Sequence, residues 1–267
     1  MYTLPQLCQR VDAHACGWHS MGMGNAPIWL IANWKMNGDA SRVRSWAFAI
    51  NQTLAASNHA VVVVFCPPSL YLDDAHAALT INASLTLGAQ NCHHESKGAF
   101  TGEISASMLA EKHCRFVIVG HSECRSRGDC DVAVTGKAKA AIAAGLTPII
   151  CIGESLAEYK AKQTLATLSA QLAALEALPT GGFLVAYEPI WAIGTNHTPS
   201  TQEIRAAHSH IKSVLGSNVH VLYGGSVNPS NASEILALPE VAGALIGGAS
   251  LEIETMRALI LSAASMK

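Results

Sequence analysis

Long apolar runs, paired cysteines and an excess of charge are all missing from this sequence, and each absence narrows what it can be. No stretch reaches the length of a membrane span, because the apolar runs near Val61 and Ile149 are broken by Pro, Gly and Thr. The first 26 residues lack the basic start and continuous apolar run of a secretory signal. Cys8, Cys16, Cys66, Cys92, Cys114, Cys124, Cys130 and Cys151 include no CxxC pair and build no compact disulfide framework. A reducing compartment is the simpler inference. Cys66 and Cys151 end apolar runs and read as small buried hydrophobes. Only 13% of the residues are charged and the formal net charge is -2, so neither a nucleic-acid partner nor a disordered chain is expected.

What is present is apolar: half of the 267 residues are hydrophobic, enough for one large core. Residues 1–26 do not resemble the rest of the chain. Cys8, His14, Cys16 and His19 match no standard zinc spacing, and Met21-Gly22-Met23-Gly24 reads as a flexible join to a domain spanning 27–267. From Pro27 onward, short apolar runs alternate with helical stripes. Strands are expected at Ile28–Ala32, Val61–Cys66, Leu85–Gln90, Phe116–Gly120, Leu146–Ile152, Phe183–Tyr187, Val219–Tyr223 and Gly243–Ile246. Between them, one long helix is expected over about Leu156–Leu178, with Leu165, Leu168, Leu172 and Leu175 on one stripe. Ile204, Ala207, His208, Ile211 and Leu215 mark another helix, with His208 at its boundary. Strands this continuously apolar are covered on both faces. Eight of them alternating with helices give the α/β class and a closed (β/α)8 barrel.

A barrel of this kind carries its chemistry at the C-terminal ends of its strands. The residues that stand out do lie there: Lys35 after the first strand, His121 after the fourth, Glu188 after the sixth, Ser226 after the seventh and Gly247-Gly248 after the eighth. Glu188 is followed by Pro189, four apolar residues and Gly194, which reads as a lid hinged on a carboxylate. The plainer readings are a turn into the next helix, a snorkelling lysine and a tight glycine turn.

Taken together, Asn33-Trp34-Lys35-Met36-Asn37, His121-Ser122-Glu123, Ala186-Tyr187-Glu188-Pro189-Ile190-Trp191-Ala192-Ile193-Gly194-Thr195, Tyr223-Gly224-Gly225-Ser226-Val227 and Gly247-Gly248-Ala249-Ser250 resemble the signatures of the triosephosphate isomerase family, in that family's order and over essentially all of 27–267. The resemblance implies a single-domain TIM barrel interconverting dihydroxyacetone phosphate and D-glyceraldehyde 3-phosphate in cytoplasmic glycolysis and gluconeogenesis, with no cofactor. It implies Glu188 as general base, His121 as neutral electrophile, and Lys35 with Asn33 at the oxyanion and phosphate. Phosphate donors would be Gly194, Ser226, Gly247 and Gly248, with Glu123 in support. The segment Gly98–Glu103 resembles the family's intersubunit loop, implying a homodimer in which Thr101 reaches the partner's site. That places His93, His94 and Glu95 in an interface rather than a metal site. No membrane or nucleic-acid partner is implied.

Four departures stand against this pattern. Cys124 takes the place of the family's usual arginine, and Asp129 matches the acid that would pair with it, which leaves the support of His121 open. Cys124 and Cys130 are expected either as two buried thiols or as a disulfide. Asn196 and His197 replace a Gly and a Lys at the lid's end, and Ala32 replaces a Gly. A barrel aldolase would need a Schiff-base lysine or metal cluster, which Lys35 beside Glu188 and His121 argues against. A non-enzymatic barrel is favoured only by Cys124 and the altered hinge.

Overall fold

Every residue of the first two strands is buried, and successive side chains face opposite ways into two separate cores. The computed structural model describes residues 27–57, 61–79, 84–179, 181–195 and 197–266. The expected extension 1–26 and the hinge residue Asn196 lie outside them. Eight parallel strands, β1 (Ile28–Asn33), β2 (Val61–Cys66), β3 (Leu85–Ala89), β4 (Phe116–Val119), β5 (Thr147–Ile152), β6 (Leu184–Tyr187), β7 (His220–Tyr223) and β8 (Gly243–Ile246), pair in chain order. The barrel closes where Trp29 of β1 meets Gly243 of β8. A Cβ on Gly243 would sit 1.9 Å from the Trp29 carbonyl oxygen, so only glycine allows that seam.

The helices are α1 (Ala40–Ala55), α2 (Leu72–Ala78), α3 (Ala106–Glu111), α4 (Ser122–Arg125), α5 (Asp131–Ala143), α6 (Leu156–Lys160), α7 (Thr164–Ala173), α8 (Thr201–Leu215), α9 (Ala232–Leu236) and α10 (Ile253–Ala264). Inward side chains such as Trp29, Ile31, Val62, Val64, Phe116 and Ile118 fill the barrel. Outward ones such as Leu30, Val63 and Val117 pack under the helices. This period-two division is why the strands read as unbroken apolar runs. Among the described residues no helix is long and apolar enough to cross a membrane.

Three expectations need correction. The single helix over 156–178 is two: α6 ends at Lys160 with Ala161 as its C-cap, and Lys162 takes a φ of 59° that no α-helix contains. Leu168, Leu172 and Leu175 are buried as the stripe required, but Leu165, at the start of α7, is exposed. His208 is no boundary residue. It is fully buried with its ring edge against Tyr187 and its Nδ1 3.3 Å from the Glu240 carbonyl. Cys124 and Cys130 are neither both buried nor joined: both are free, the first partly buried and the second exposed. Cys66 and Cys151 are buried, and burial pushes both thiols well up.

Candidate active site

Where β1 ends, the chain makes a tight left-handed step that aims a lysine over the barrel mouth. Lys35 holds a φ of 52°, uncommon for a side-chain-bearing residue. Its N–H donates to Asn33 Oδ1 at 3.0 Å and its carbonyl accepts from Gln90 Nε2 at 2.8 Å. Gln90 also donates to the Cys66 carbonyl at 2.9 Å, tying the ends of β1 and β2 to β3. The Lys35 ammonium meets Glu123 Oε1 at 2.6 Å. Burial alone would raise Glu123, but its bond to Lys35 and that lysine's charge hold the carboxyl below its ordinary value.

His121 ends β4 and caps α4. Its Nδ1 accepts the Glu123 backbone N–H at 3.2 Å, which in a neutral ring assigns the proton to Nε2. That Nε2 lies 3.1 Å from Glu188 Oε1, and the other Glu188 oxygen accepts the Ser122 N–H at 2.9 Å. Glu188 and His121 are both buried. Burial raises the Glu188 carboxyl, against the lowering pull of His121, Ser122 N–H and Lys35. A carboxylate of raised basicity touching an imidazole N–H donor can take a proton from carbon while the imidazole polarises the attached oxygen.

Asn33, Lys35, His121, Glu188, Gly194, Ser226, Gly247 and Gly248 line one cavity of about 290 Å³. This is room for a small metabolite rather than a polymer. Of the residues expected at the site, Glu123 touches it through Lys35. Thr101 does not enter it, standing exposed on the loop after β3. A Cβ at Gly247 would come within 3.4 Å of Lys35 Cε, so that glycine keeps space beside the ammonium. The Ser226 hydroxyl donates to the Ala192 carbonyl at 2.9 Å and so engages the lid. The lid carries a short 3-10 turn, Ile190–Ala192. Its Trp191 stacks on Tyr159 and donates to buried Glu154 at 2.8 Å.

The missing arginine at Cys124 is compensated by residues that the sequence did not single out. Asp129 pairs with Lys137 of α5, at 2.7 and 2.8 Å, and that buried ammonium also reaches Asn91 Oδ1 at 3.1 Å. Arg125 donates to the Gly120 carbonyl at 2.9 Å and to Cys151 at 3.1 Å, binding the end of β4 to β5, and pairs with Asp131 at 2.7 Å. The Cys124 thiol accepts from the Arg127 guanidinium at 3.3 Å. A lysine within an Ala-rich helix gave no signal beyond its charge. Arg125 stood beside the His-Ser-Glu motif and could have been picked out.

A family profile described as triosephosphate isomerase matches residues 28–263. The chain belongs to the triosephosphate isomerase family. That places it among the intramolecular aldose–ketose isomerases, as its motifs implied. It is similar to the triosephosphate isomerase of Rhodopirellula baltica, with 41% identity over 89% of this chain and 98% of that protein. With that of Caulobacter vibrioides it shares 44% identity over 86% of this chain and 94% of the relative. The crystal structure of triosephosphate isomerase from Bartonella henselae superposes with a TM-score of 0.78 at 34% identity, covering 88% of this chain and 98% of that one.

Proposed function

We propose that this chain interconverts dihydroxyacetone phosphate and D-glyceraldehyde 3-phosphate through an enediolate, with Glu188 as the base and neutral His121 as the electrophile. The observation that carries the reading is the contact of Glu188 Oε1 with His121 Nε2, the latter protonated because Nδ1 is already an acceptor. A substrate entering between them presents its carbonyl and hydroxyl oxygens to the imidazole and its two carbons to the carboxylate. One carboxylate then removes a proton from one carbon and returns it to the next. Triosephosphate isomerase is itself the standard worked example of this pairing of a glutamate with an uncharged imidazole.

Lys35 and Asn33 supply charge and orientation at the developing oxyanion. The phosphate is assigned to the backbone around Gly194, Ser226, Gly247 and Gly248, with the Ser226 hydroxyl exchanging its lid contact as substrate arrives. Closure of Pro189–Thr195 excludes water and protects the enediolate from losing phosphate. No cofactor enters this chemistry. A place in cytoplasmic glycolysis and gluconeogenesis belongs to the same reading.

A homodimer is part of the proposal. Met36 and Phe100, on the loops after β1 and β3, Leu70 in the 3-10 turn Ser69–Tyr71 after β2, and Met108 on α3 are exposed apolar side chains along neighbouring stretches of the barrel. Their burial against a second copy would carry Thr101 to the partner's Lys35 region. Sedimentation velocity checks this: a dimer at micromolar concentration is expected, and a monomer with full turnover would contradict it. For the chemistry, the test is turnover of both triose phosphates by wild type and Glu188→Gln. Loss of the base is expected to cost about 10²- to 10⁴-fold in kcat. Comparable turnover in the variant would remove Glu188 from the proposed role.

A further inference from the structure

The base has a support that neither its motif nor the lid provides. Beyond the last ladder bond of β6, Glu188 N–H to Ile152 O at 2.7 Å, the Glu188 backbone lies directly on Gly153. A Cβ at Gly153 would fall 1.7 Å from the Glu188 carbonyl oxygen and 3.2 Å from its Cα. Two residues on, Ile190 N–H bonds to the Glu154 carbonyl at 3.1 Å, so the root of the lid is laid along residues 152–154. Gly153 is buried, and its own N–H and carbonyl are taken by one side chain. Gln171 of α7 accepts the Gly153 N–H on Oε1 at 2.8 Å and donates from Nε2 to the Gly153 carbonyl at 3.1 Å.

From this geometry we infer that Gln171, on an outer helix, is a positioning residue for the catalytic carboxylate, acting through Gly153. The inference rests on the proposed role of Glu188 as base. Its physical content is a chain of three rigid contacts. A primary amide is the one short side chain that offers a donor and an acceptor side by side, so it holds both polar groups of a single peptide residue. A buried peptide left without such a partner shifts to find one. Gly153 cannot shift without moving the Glu188 backbone that rests on it, and small displacements of a reacting group cost rate steeply. On the opposite side, a Cβ at Gly224 would lie 2.8 Å from Glu188 Cγ, so the carboxylate's stem is held between Gly153 and Gly224.

The test is a double-mutant cycle in kcat for triose phosphate turnover, with Gln171→Ala and Glu188→Asp singly and together. Gln171→Ala is expected to lower kcat about 10-fold with KM changed less than about 3-fold. In the Glu188→Asp background, where the carboxylate is already misplaced, the same substitution should cost less than about 3-fold. A purely structural glutamine would give the same factor in both backgrounds, and that additivity would overturn the inference. Undiminished turnover in Glu188→Asp alone would instead strike the base reading itself, whatever Gln171 does. Gln171→Glu keeps the length of the side chain and covers the case in which the alanine variant fails to fold. Its carboxyl can make both bonds only when protonated, so its kcat relative to wild type should rise as the pH is lowered from roughly 7.5 to 5.5. A flat ratio would count against the bridge.

Discussion

The ends of β4 and β6 stand on either side of β5, bring His121 and Glu188 into contact, and are held by opposite means. His121, at the end of β4, stands on a charged frame: Arg125 ties Gly120 to Cys151, and Lys137 locks Asp129 behind the loop. Glu188, at the end of β6, rests on neutral, close-packed backbone: Gly153 beneath it, Gly224 beside its stem and Gln171 bracing the first of these. The difference has a physical sense. In the proposed reaction the His121 ring works uncharged and tolerates full charges nearby, whereas extra cations against Glu188 would lower the basicity that burial gives it. Glu154, which accepts from the lid's Trp191, is itself raised by burial even with Trp191 and Tyr187 donating to it.

Breaking the neutral side should cost most. Gly153→Ala forces a Cβ into the Glu188 carbonyl and is expected to lower kcat about 100-fold, with overpacking costing roughly 1–3 kcal/mol of stability. Steady-state kinetics beside thermal unfolding checks both. A variant as active as wild type would mean that the close approach is not what places the carboxylate.

On the same side lies buried His208, next to Tyr187, whose pKa burial pushes down to about 4. A depressed histidine contributes stability that is present above its unfolded pKa of about 6.5 and is lost as the pH falls toward the folded value. The loss between these limits is on the order of 3 kcal/mol, and His208→Phe should flatten it in denaturant melts taken from pH 7 to pH 4. An unchanged slope would assign acid sensitivity to other groups.

The charged side should break more gently. Arg125→Lys keeps one cation but cannot span Gly120 and Cys151 together, and is expected to cost about 2 kcal/mol of stability with kcat falling only a few-fold. Cys124→Ser should be smallest, within about 1 kcal/mol and with turnover unchanged, because the thiol accepts from exposed Arg127. A large loss of turnover in Cys124→Ser would return the support of His121 to that residue.

What the sequence made legible divides in the same way. Strands buried on both faces announced themselves as apolar runs, and the candidate site residues at strand ends stood out because Lys, His and Glu are conspicuous there. Supports made by proximity left no such mark. Gly153 reads as an ordinary glycine after a strand, and its meaning depends on a neighbouring strand brought against it by the barrel. Gln171 looks like any polar residue of an outer helix. The break at Lys162 carries no Gly or Pro, since a lysine occupies the left-handed conformation. The absence of arginine at Cys124 was visible, but not that Lys137 and Arg125 would hold the loop without it.

The central claim, that one positioned carboxylate carries the proton between adjacent carbons, is met most directly by Glu188→Asp. The shorter side chain keeps the acid and withdraws it from the point where His121 Nε2 waits. With the purified protein and both triose phosphates, wild type should turn over briskly while the variant loses about 100-fold in kcat and keeps KM within a few-fold. A folded variant with wild-type kcat, or a folded wild type with no turnover, would contradict the account.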